Sequence, residues 1–152
     1  MTITSVATST FLKDSVLMIR DDLIANITDP ITAKRTGDEK FVMTSYPQRI
    51  SKYPLITIRR RSISVPFASG TQATVHYIQI PLEIRVWARN VVERESLAQD
   101  IINRFRTARL TTYAAGGMFD FQVTSTIDVD EGGDAGIHSV LIYVQYNFVL
   151  GS

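Results

Sequence analysis

The residues best suited to bind or react are found in a few places along this chain. Arg59-Arg60-Arg61 is a run of guanidinium groups, which grip phosphate or carboxylate oxygens two at a time. Asp128, Asp130, Glu131 and Asp134 surround the Gly132-Gly133 turn and offer the hard oxygen ligands that calcium takes. His76 and His138 could hold a metal ion if folding brought them together. Each has a plainer reading. The acidic turn lacks the alternating ligands and closing bidentate Glu of a helix–loop–helix calcium site, so a solvated hairpin tip is expected. No acidic or thiol partner stands at ligand spacing from either histidine, so both are expected to be structural. Arginines on a strand point alternately up and down, and no ladder of aromatic rings accompanies these, so a surface or subunit interface is expected for them. Trp87 joins the interface candidates because alternation puts it on the wetter side of its strand. No G-x-S-x-G elbow and no phosphate-binding glycine loop occurs. The expectation is a protein with no catalytic residue, no cofactor and no metal.

The elements that position these residues are organised around Thr74 to Leu110. In the first half Ile78, Ile80, Leu82, Ile84 and Val86 share one parity, against Tyr77, Gln79, Glu83, Arg85 and Trp87 on the other. That period of two predicts a strand with one buried and one wetter face. Pro81 cannot donate to a ladder, so a bulge, a bend or an outward-facing nitrogen is expected there. Asn90 followed by Glu93 reads as a capping box. Beyond it Leu97, Ile101, Phe105 and Ala108 recur at helical spacing, with Arg94, Glu95, Gln99, Asp100 and Arg106 on the other faces.

Before this stretch, Leu12, Val16, Ile19, Leu23 and Ile27 predict an amphipathic helix starting at Ser9 or Thr10 and stopped by Asp29-Pro30. Residues 1–9 read as a flexible arm or short strand, and 31–54 as an irregular contact loop carrying a short strand at 41–45. Leu55 to Val65 predicts a strand whose parity shifts across the three arginines, as a bulge would produce. With the Thr74 strand it forms an expected long hairpin, 55–88, extending beyond the sheet. After the helix TTYAAGG reads as a breaker. Phe119, Phe121, Val123, Ile127 and Val129 predict a clean half-buried strand, and Val140 to Leu150 a final strand apolar enough on both sides to be central. The whole, 1–152, reads as a single α+β domain: a mainly antiparallel sheet, two amphipathic helices on one face and a long extended β-hairpin.

Composition agrees with a folded domain. Apolar residues make up 45% and charged residues 20%, with no cysteine to form a disulfide, a thiolate metal site or a nucleophile. No apolar run is long enough to span a bilayer, and no secretory signal is expected from the first residues. The net charge of +1 gives no reason to invoke a membrane or nucleic acid. It is unevenly spread: residues 1–70 carry ten Lys/Arg against six Asp/Glu, residues 71–152 six against nine.

The N-terminal helix, the YPLITI strand from Tyr53 to Ile58, the Ile80–Trp87 strand, the helix around Glu95–Ile101 and the closing hairpin strand Ile137–Leu150 together resemble one family. It is that of the tail terminator (tail completion, minor tail) proteins of tailed bacterial and archaeal viruses. The resemblance spans residues 10–150 and rests on element order and apolar pattern. It implies a homohexameric ring that caps the tail tube, stops its polymerisation and meets the head–tail connector or neck protein. Nucleic acid would be present only as it passes through the lumen. The protein would be assembled in the host cytoplasm and reside in the virion tail or neck. The family has no catalytic residue to carry over, and the interface candidates remain Arg59, Arg60, Arg61, Trp87, Asp128, Asp130, Glu131 and Asp134. A head–tail adaptor is the alternative within virions. A small α+β ligand-binding domain or enzyme, with its pocket between helices and sheet, is the alternative outside them.

Overall fold

A computed structural model describes residues 10–35, 39–44, 52–61, 75–130 and 137–151. Helix α1 spans Phe11–Asn26, strand β1 Val42–Met43, β2 Leu55–Arg60, β3 Val75–Ala88, helix α2 Val91–Ala108, β4 Phe119–Asp130 and β5 His138–Gly151. The strands form one sheet in the order β1-β2-β3-β5-β4; β1 and β2 are parallel and every other pair is antiparallel. Since β3 and β4 both run antiparallel to the β5 between them, they are parallel to each other, and α2 is the crossover that joins them.

Both helices cover the same face of this α+β sheet, the front. Ile78, Ile80, Leu82, Ile84 and Val86 of β3 and Val140, Ile142, Val144, Tyr146 and Phe148 of β5 are all buried there. They form one cluster with Met18, Ile19 and Leu23 of α1 and Leu97, Ile101 and Phe105 of α2. The core expected from alternation on β3 and helical spacing on α2 is the core observed. Thr10 makes no capping bond at α1; its hydroxyl donates to Asp14 instead. At α2 the Asn90 side chain accepts from the amide of Glu93, and Glu93 reaches back past Asn90 to the amide and guanidinium of Arg89. Burial pushes the Glu93 carboxyl up, but the donors and charge of Arg89 outweigh this and hold it below its ordinary value.

Two phenols pin α1 to the rest of the molecule. Tyr113 Oη donates to Asp22 Oδ2 at 2.6 Å, and the same carboxylate receives Arg104 Nε and Nη2 at 3.0 and 2.6 Å. Tyr146 Oη donates to Ser15 Oγ at 2.8 Å. Burial pushes both phenols well above their usual range, and the Asp22 charge pushes Tyr113 further, so both remain donors. A run of ring contacts joins the pins: Tyr113 stacks on Phe121 at 4.5 Å, Phe121 on Tyr146 at 5.8 Å, and Phe148 lies between Tyr146 and Phe11.

Several expectations are corrected. TTYAAGG does not break the helix. Arg109–Tyr113 form a π turn, helix continues through Ala115, and the chain turns at Gly117 with φ 100°. The extra residue in that turn aims Tyr113 at Asp22. The bulge expected at the arginines is not found through Arg60, because β2 stays in register with β3 from Leu55↔Trp87 to Arg60↔Leu82. The second segment of that strand and the connection to β3, residues 62–74, lie outside the described residues. The long extension of the 55–88 hairpin is therefore a matter the described pairing does not reach. Pro81 causes no bulge against β5; its carbonyl accepts from Arg61, so its nitrogen also faces the β2 side.

β4 is not a clean alternating strand. Register shifts fall between Phe119 and Gln122 and between Val123 and Ser125. Each flips the parity, so Phe121 and Val123 face the helices while Phe119, Ile127 and Val129 face the rear. Arg94, expected on an outward face of α2, is buried beside Asp128 at 3.6 Å and Glu95 at 2.9 Å.

Replacing Phe105 or Ile101 by Ala should cost about 2–5 kcal/mol, read as a lowered denaturant midpoint. Tyr113→Phe, which removes one donor from a buried carboxylate that keeps Arg104, should cost about 1–3 kcal/mol and leave the far-ultraviolet spectrum unchanged.

Candidate interaction surface

The rear of the sheet has no helix on it among the described residues. Strand register fixes what it presents. Across β2, β3, β5 and β4 the rows read Leu55, Trp87, Ser139, Val129; then Thr57, Arg85, Leu141, Ile127; then Arg59, Glu83, Tyr143, Ser125; then Arg61, Pro81, Gln145, Gln122. The first row is closed. Leu55 and Ser139 are fully buried and Trp87 is 9% exposed. The lower rows open out: Arg59, Arg61, Gln122 and Ser125 are exposed, with Leu141, Tyr143 and Gln145 half-buried between them.

Trp87 lies on the side expected of it, but its own chain covers it and α1 does not. Its indole N–H donates to Thr57 Oγ1 at 3.0 Å, and the Arg85 guanidinium lies 3.7 Å from the ring centroid. Arg85 in turn donates to Ser139 Oγ, and Ser139 donates to the carbonyl of Val129, so one polar chain runs across three strands. Arg61 repeats the cation–ring contact lower down, its guanidinium carbon 4.6 Å from the centroid of the Tyr143 ring.

The arginine run divides as a strand requires. Arg59 and Arg61 face the rear, Arg60 faces the front, and Arg59 stands directly opposite Glu83. Asp128 faces the front beside Arg94, so the structure does not bring it to the arginines. Asp130 ends β4 opposite His138, and Glu131 and Asp134 lie outside the described residues. The two histidines do not share a site: His76 pairs with Leu150 and His138 with Ala88, at opposite ends of the β3–β5 ladder. Twelve residues of strand separate them, on the order of 40 Å.

What the sequence reading missed on this surface is Ile127 and Phe119. Parity puts both on the same side of the strand as Phe121 and Val123, and the bulges turn both to the rear, 49% and 46% exposed. Ser125, a polar residue on the apolar parity, was the available signal that the alternation fails there.

A separate groove of about 650 Å³ lies at the end of α1, lined among others by Ile24, Asn26, Asp29, Arg35, Glu39 and Phe41. Its arginine is already engaged. Arg35 holds Asp29 at 2.6 Å, donates to the carbonyls of Lys52 and Pro54, and lies 5.3 Å from the Phe41 ring centre. That knot fastens the segment after α1 to the start of β2, which gives the cation a structural task.

The chain matches no protein-family model, and no curated protein matches it.

Thr57→Val keeps the shape of the residue under Trp87 but leaves the indole N–H without its acceptor. The expected cost is about 1–3 kcal/mol. Trp87 is the only tryptophan, so its fluorescence during denaturant unfolding measures that loss directly.

Proposed function

We propose that this protein is a structural virion component, a tail terminator whose copies form a homo-oligomeric ring, hexameric in the family it resembles, that caps the tail tube. The observation carrying this reading is where the resembling segments fall. YPLITI runs into β2, Ile80–Trp87 forms the inner part of β3, Glu95–Ile101 lies in α2 and the closing segment is β5. They thus build one sheet with its two helices on one side, and no described helix lies on the opposite side. A ring-former needs two different surfaces, one on each side of the subunit, so that each copy can contact a neighbour on either hand. The helix layer and the open rear of the sheet supply two such surfaces. In this role the protein binds copies of itself, the tail tube protein on one side of the ring and the head–tail connector or neck protein on the other.

The test is solution mass by light scattering across a wide concentration range, followed by electron microscopy of the purified protein. The expected result is one oligomer of constant mass, seen as rings, which blocks further elongation when added to polymerising tail tubes. A protein that stays monomeric at every concentration and leaves tube length unchanged would sink the proposal.

A further inference from the structure

We draw no further inference here: the strongest candidate, the surface patch of Ile127, Leu141 and Tyr143 on the rear of the sheet, lies beside Arg59 and Arg85, which already have partners within the chain, and nothing in the structure shows what covers it.

Discussion

Two buried phenols hold this fold to one arrangement. A layer of helices on a sheet gains most of its stability from apolar contact, which has no direction and tolerates sliding. Tyr113 on Asp22 and Tyr146 on Ser15 remove that freedom, because a hydroxyl in a dry interior must keep its partner. Both acceptors belong to α1, seven residues and two turns apart, so the helix is fixed in rotation as well as position. Arg104 adds α2 to the first pin, and the stacked rings of Tyr113, Phe121 and Tyr146 carry the constraint into the sheet. With the front held this way, the strands display their rear residues in a rigid lattice.

That rigidity matters for the proposed role. A surface that must meet an identical neighbour gains affinity when its side chains are already in place, because less freedom is lost on binding. Arg85 on Trp87 and Arg61 on Tyr143 are held against rings, and the polar chain through Ser139 to Val129 fixes the first of them further. These two guanidinium groups are therefore arranged before any partner arrives.

The regular parts of this fold were legible in the residues and the irregular ones were not, for identifiable reasons. Ile78 to Val86 alternate without fault because β3 is flanked on both sides and covered on one face, so period and burial agree. Asn90 and Glu93 marked the start of α2 because capping is local chemistry. Tyr113 was hidden in a stretch whose glycines suggest a stop; only its long-range bond to Asp22 shows why the helix continues through a π turn. The parity of Ile127 misled because two bulges on β4 invert it, and bulges depend on the strand alongside. Arg94 reads as a surface residue until Asp128 is seen next to it. For the candidate surface, the arginines and Trp87 were legible as residue types, and their division between two faces followed from alternation. Which of them lies under cover, as Trp87 does, depended on Thr57 and Arg85 from two separate strands.

The margins of the sheet carry one more consequence. At one margin β1 has only two residues, and at the other β4 is kinked twice within its twelve. Among the described residues neither offers the long, flat row of peptide groups on which a stray chain could crystallise into a fibre. A subunit built to stack in register through its backbone would polymerise as soon as it was made. In the role proposed here, copies of this chain would meet through side chains and not through a shared backbone ladder.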